Sequence, residues 1–173
     1  MKQTNRIKNG DFSSGNFDYW RPKGYDTPIT VELREGNFAA RMVGGRNQGQ
    51  NLAAEIFSVK PGAFKFDFDI EAPDAVPLED TQHRTFHIQG RETADNPLIN
   101  AFVVYTIWMT NDQGESTIWT SWRYVDRQQQ TITVEGITPE GYGRVDIQVA
   151  IPSDPFGNKG CYFLDNFQFL TLD

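Results

Sequence analysis

Apolar and polar positions alternate along most of the chain, most cleanly in AFKFDFDIEA, residues 63–72. Phe64, Phe66, Phe68 and Ile70 fall on one face, and Lys65, Asp67 and Asp69 on the other. A period of two predicts a half-buried strand, and a one-residue slip would bury the charges, so the register is well specified. GRVDIQVAIP (143–152) repeats the pattern, setting Val145, Ile147, Val149 and Ile151 against Asp146, Gln148 and Ala150. Further strands are predicted in TPITVELRE (27–35), NFAARMVGG (37–45), NLAAEIFSV (51–59), QQTITVEGIT (129–138) and GCYFLDNFQFLTL (160–172). Turn residues punctuate them, as at Lys60-Pro61-Gly62, where proline takes the first central position of a turn and glycine the second.

NAFVVYTIWMTNDQGESTIWTSWRYV, residues 100–125, predicts a hairpin closed by Asn111-Asp112-Gln113-Gly114, with glycine in the left-handed position. Pairing outward from that turn sets Tyr105 opposite Ser121, Ile107 opposite Trp119 and Val103 opposite Arg123, all on one face. The other face carries Phe102, Val104, Thr106, Trp108, Ile118, Trp122 and Tyr124. This second set is the more uniformly apolar and reads as core. The first mixes aromatic and polar groups and reads as the solvent face. A register slip would exchange the two.

Residues 73–99 break the alternation with three prolines and several charges. A stretch that long predicts a loop or insert, in which RTFHIQG could hold a short strand. About nine strands are counted in all, with no amphipathic helix, internal repeat or Ser/Gly linker. The expected fold is all-β: one domain over residues 1–173, with two antiparallel sheets packed as a jelly-roll sandwich.

Charge narrows the function. With 23 acidic and 16 basic residues the net charge is −7, which repels nucleic acid and anionic membranes, and no basic cluster offsets it. A single cysteine, Cys161, leaves no intrachain disulfide and no multi-thiolate zinc site. His83 and His87 fall in the loop-like stretch, so no histidine metal site is expected. Gly-x-Ser-x-Gly, phosphate-loop and His-Glu-x-x-His patterns are absent, and the chain is expected not to be an enzyme. No apolar run has transmembrane length, and MKQTNRIKNGDF lacks the core of a secretory signal. The chain therefore reads as an intracellular protein, a mature fragment, or a domain of a longer secreted protein, extracellular in that last case.

Three landmarks then occur in order: NGDFSSGNFDYW at the start, GNFAARMVGG with QNLAAEIFSVKPGAFKFDFDIEAP in the first half, and CYFLDNFQFL at the end. Together they resemble the carbohydrate-binding modules of the group containing families four, nine and twenty-two. The resemblance spans nearly the whole chain and implies a galactose-binding-like jelly roll. It also implies a glycan chain as partner, a core role for Trp20, and a structural calcium between the first and last strands. Asp11 and Asp165 match two of the calcium ligands. Ser13 stands where the group has Glu and Asn166 where it has a second Asp, departures that weaken the ligand set.

Sugar recognition stacks aromatic faces on pyranose rings and meets hydroxyls with planar polar groups. On the hairpin face read as solvent-exposed, Tyr105 and Trp119 are the candidate stacking residues and Arg123 a hydroxyl ligand. Trp119 equally fits a residue that only covers core at a sheet edge. Gln148, on the polar face of its strand, and Gln50, beside the MVGGRNQGQN turn, are further hydroxyl-binding candidates, and Tyr25 a loop aromatic able to cap a ligand. Two other functions stay open. One is a structural or interaction domain of a larger surface, toxin or phage-like assembly that keeps the fold without binding sugar. The weaker one is a glycan-active enzyme.

Overall fold

The computed structural model describes residues 2–25, 27–44, 49–75, 101–153 and 160–172. The insert beyond residue 75, with the short strand expected in RTFHIQG and with His83 and His87, lies outside them. Eleven strands form among the described residues: β1 (Gln3–Asn5), β2 (Trp20–Lys23), β3 (Thr30–Arg34), β4 (Asn37–Val43), β5 (Gln50–Ile56), β6 (Gly62–Glu71), β7 (Phe102–Thr110), β8 (Ser116–Tyr124), β9 (Gln130–Thr138), β10 (Arg144–Ile151) and β11 (Cys161–Leu172). They pair antiparallel into two sheets. One runs β3-β4-β11-β6-β9 with β1 also on β11, and the other runs β2-β5-β10-β7-β8. The expected all-β sandwich is therefore the fold.

The core lies between the sheets, and the alternating strands supply it as their period demands. Phe64, Phe66, Phe68 and Ile70 of β6 point inward with Val145, Ile147, Val149 and Ile151 of β10. Phe64 stacks on Phe169, with ring centroids 4.9 Å apart.

The alternation of β11 changes phase midway. Tyr162 and Leu164 face the core, then Phe167, Phe169 and Thr171 do. A bulge between Asp165 and Gln168 makes the change, with Asn166 at φ 52°. It turns Phe167 inward, where the ring stacks on Phe68 at 5.2 Å and meets Trp20 at 4.7 Å. The bulge also admits the N-terminal segment: Phe167 N donates to Gly10 O at 2.9 Å. A Cβ on Gly10 would stand 2.1 Å from Phe167 O, so only glycine fits that approach.

Residues 6–19 form turns between two short strands, and Trp20 and Phe12 are core, as expected for Trp20. The Trp20 indole donates to Asn9 O at 3.0 Å.

Candidate functional site

The 100–125 hairpin closes as its sequence predicts. Gly114 takes φ 82°, and Asn111 Oδ1 accepts the amides of Gln113 and Glu115. The register is the expected one: Tyr105 opposite Ser121, Ile107 opposite Trp119, Val103 opposite Arg123. The faces, however, are exchanged. Val103, Tyr105, Ile107 and Met109 are buried, while Trp108, Ile118, Trp122 and Tyr124 stand exposed. The cause is β10, which pairs with β7 and sets Ile147 beside Ile107. β10 has only one apolar face, and β7 must share its parity.

The outer face of the five-stranded sheet is consequently an aromatic and polar platform. One ladder row runs Glu55, Asp146, Trp108, Ile118 across β5, β10, β7 and β8. The next runs Ala53, Gln148, Thr106, Thr120, and the third Asn51, Ala150, Val104, Trp122. Tyr124 follows Trp122 on β8, and the two rings meet edge to face at 5.1 Å. Trp108, Trp122 and Tyr124 are 40%, 53% and 41% exposed. The small and polar side chains of the middle row form a floor between Trp108 on one side and Trp122 with Tyr124 on the other. Four residues of strand separate the two tryptophans, roughly 13 Å, which is longer than one pyranose ring.

Polar groups on that floor are already aligned. Gln148 Oε1 accepts from Asn51 Nδ2 at 3.3 Å, and its Nε2 donates to Asp146 Oδ1 at 3.2 Å. Arg21 pairs with Asp146, and Arg144 with Glu55. The Thr106 and Thr120 hydroxyls lie 3.2 Å apart.

Of the residues singled out from sequence, Gln148 alone sits on this platform. Tyr105 is largely buried, edge-on to Phe68 at 5.9 Å, and borders a cleft of about 280 Å³ that Trp119 and Arg123 also line, so the structure brings these three predicted residues together away from the platform. Trp119 projects from the other side of β8 at the sandwich flank, where it is still 39% exposed. Its ring lies 5.2 Å from Phe64, and a Cβ on Gly136 would stand 2.0 Å from it. Arg123 is on the same flank, donating to Trp122 O at 2.9 Å. Gln50 is buried, accepting from Val43 N at 2.7 Å and donating to Thr27 O at 2.6 Å, which occupies both ends of its amide in holding loops. Tyr25 is exposed beyond β2, its ring 5.1 Å from Lys23 Nζ, and their hydrogen bond raises the lysine pKa. The platform aromatics were visible in the sequence, but a set so apolar reads as core.

The calcium pair is brought together without a full ligand set. Burial, aided by the charges of Asp69 and Asp11, raises the Asp165 pKa to about 6 against the pull of the Asn166 amide. The Ser13 amide lowers that of Asp11. Asp69 is engaged by Thr131, Gln129 and Asn166, and the Asn9 amide by Ser14, Asn16 and Asp18. Among the described residues no three His, Cys, Asp or Glu converge as metal ligands. Calcium draws on six to eight oxygens, and of the three nearby carboxylates Asp69 is already held by side-chain donors, so Asp11 and Asp165 would need neutral oxygens to complete a site. Asp69 and Asp165 are also cross-strand neighbours, lying side by side rather than across a cleft from each other.

No protein-family model matches the sequence, and no curated protein matches it. The fold does match solved structures. An enzymatically active domain of bacteriophage CBA120 tailspike protein 4 superposes with a TM-score of 0.68 at 15% identity, over 96% of this chain and 21% of that one. The chain thus spans about a fifth of that tailspike chain. The module TmCBM61, solved with beta-1,4-galactotriose, gives 0.61 at 16% identity, over 96% and 97% of the two chains. A family 16 carbohydrate-binding module gives 0.63 at 13% identity, over 96% and 100%. At these identities the likeness establishes a fold shared with carbohydrate-binding modules.

Proposed function

We propose that this chain, whose fold is that of the carbohydrate-binding modules, binds a glycan chain non-covalently on the outer face of its five-stranded sheet. The observation that carries the reading is the exposure of Trp108, Trp122 and Tyr124 around a floor of short and polar side chains. Large aromatics left in water by a fold with ample core mark an interaction surface. Their faces suit pyranose rings, and Gln148, Asn51 and Asp146 suit hydroxyls. The spacing of the two tryptophans fits an oligosaccharide better than a single sugar. No step of bond making is assigned to the chain.

A glycan array with Trp122→Ala, and with Trp119→Ala as the flank control, tests this. Wild type and the flank variant should bind, while Trp122→Ala should lose about tenfold or more in affinity. No binding by wild type, or equal loss in both variants, would sink the proposal.

A second reading, an assembly domain without sugar binding, is favoured by the likeness to part of a phage tailspike chain. In that case Trp122→Ala would change self-association or partner binding and leave every glycan response unaltered.

A further inference from the structure

A second groove lies at the edge of the sandwich, away from the aromatic platform. β2 begins at Trp20, opposite Ala54, so among the described residues no strand pairs with the edge of β5 away from β10 beyond that point. The segment after β1 is tied across the gap. Arg6 N donates to Phe169 O at 2.8 Å, and Arg6 Nη2 donates to Phe57 O at 3.1 Å and Ser58 O at 2.9 Å. The opening left is about 660 Å³, within the range of ligand pockets, and is lined by Arg6, Ile7, Lys8, Tyr19, Ile56 and Phe57 among others.

Its floor is apolar, since Ile7, Trp20, Ala54 and Ile56 are buried core. Its rim carries two aromatic rings, Tyr19 at 66% and Phe57 at 59% exposure. Tyr19 holds φ 70°, a left-handed conformation that is costly for a bulky residue and that concentrates at ligand sites.

The charge of the rim is the informative part. Arg21 and Glu55, which also line the groove, are paired with Asp146 and Arg144. Arg6 and Lys8 have no carboxylate in ion-pair contact among the described residues. Lys8 instead lies over the Tyr19 ring, 5.0 Å from its centroid. A chain of net charge −7 therefore presents two cations without a carboxylate partner beside two exposed rings.

The geometry points to a second saccharide site here, selective for an acidic pyranose such as a hexuronate. The sugar face stacks on Tyr19 or Phe57 while its carboxylate meets Lys8 and the outward N–H groups of Arg6. A neutral sugar leaves both cations unanswered, and a polyanion larger than a short glycan meets the acidic remainder of the surface. The site does not use Trp108, Trp122 or Tyr124, although Arg21 and Glu55 border both surfaces.

The test is an NMR titration of the labelled chain with trigalacturonate and with its carboxyl-reduced counterpart. Trigalacturonate should shift the amides of residues 6–8, 19–21 and 55–57, and the reduced trisaccharide should not. Lys8→Glu should weaken binding about fivefold or more, as expected for the loss and reversal of an exposed charge contact. Salt at about 1 M, where the Debye length is about 3 Å, should weaken it as well. Tyr19→Gly removes the ring while relieving the backbone, so it should lose binding and keep or raise the melting temperature. Trp122→Ala should leave the titration unchanged, which separates this site from the platform. Shifts confined to residues 102–108 and 118–124, an equal response to the reduced trisaccharide, or no shift at about 10 mM ligand overturns the inference.

Discussion

Single residues of the same type do different work in this chain, and position separates them. Trp122 is 53% exposed on the platform, whereas Trp119, 39% exposed, lays its ring on Phe64 at the flank. Trp122→Ala should leave the melting temperature almost unchanged, whereas Trp119→Ala uncovers Phe64 and should lower it. Thermal unfolding of the two variants side by side checks the contrast. Gln50 is a structural polar residue with both ends of its amide used. Gln50→Ala leaves the Val43 amide and the Thr27 carbonyl without their partner and should cost about 2 kcal/mol in denaturant unfolding. Asp165 acts in the opposite sense. Its folded-state pKa of about 6 lies above the usual 3.8, so the fold binds its proton more tightly than the unfolded chain does. Its contribution is fully present below the unfolded value and is lost as pH rises through about 6. Metal-free protein should therefore gain stability from this group between pH 7 and pH 4, on the order of 1 kcal/mol after discounting its solvent-facing part. Asp165→Asn should flatten that rise. An unchanged pH profile in the variant would falsify the assignment.

At the scale of elements, two strands carry the organisation. β11 needs its bulge because a strictly alternating strand would send Asn166 rather than Phe167 into the core. The bulge in turn needs Gly10, whose backbone passes against Phe167 O. Gly10→Ala should cost about 2 kcal/mol or more, since a backbone atom cannot swing aside as a side chain does. Hydrogen exchange at Phe167, whose amide bonds Gly10 O, would localise the damage. β7 is the other organising strand. Both of its faces are largely apolar, and its orientation is imposed by β10.

At the scale of the molecule, the sandwich leaves one sheet face rich in exposed aromatics and a separate basic groove at its edge. The acidic net charge and the local positive rim together predict different salt responses at the two sites. Binding on the platform should be nearly insensitive to ionic strength, because stacking and neutral hydrogen bonds carry it, and calorimetry at low and high salt measures this directly. The donor set around Asp11 and Asp165 predicts that a chelator leaves the melting temperature unchanged. A fall on chelation would show that backbone carbonyls complete a cation site, because a ligand bound only to the native state must raise stability.

The period-two pattern, read alone, determined the all-β class, most of the strands and the pairing of the 100–125 hairpin. These follow from local chemistry: alternation specifies a strand, and Asn111–Gly114 specifies its turn. The short β1 and β2 escaped, being too brief to show a period, and the β11 bulge escaped because a phase change within one strand has no period of its own. The binding face was decided only by tertiary contact. In β7 both faces are apolar enough to be buried, so nothing local chooses between Tyr105 and Trp108 as the inward residue. The choice is made by Ile147 of β10 beside Ile107, a contact between residues forty positions apart. The edge groove likewise arises only when residues 6–8 and 55–57 are brought together in space. Long-range pairing therefore supplied the two surfaces that the sequence reading had placed elsewhere or not at all.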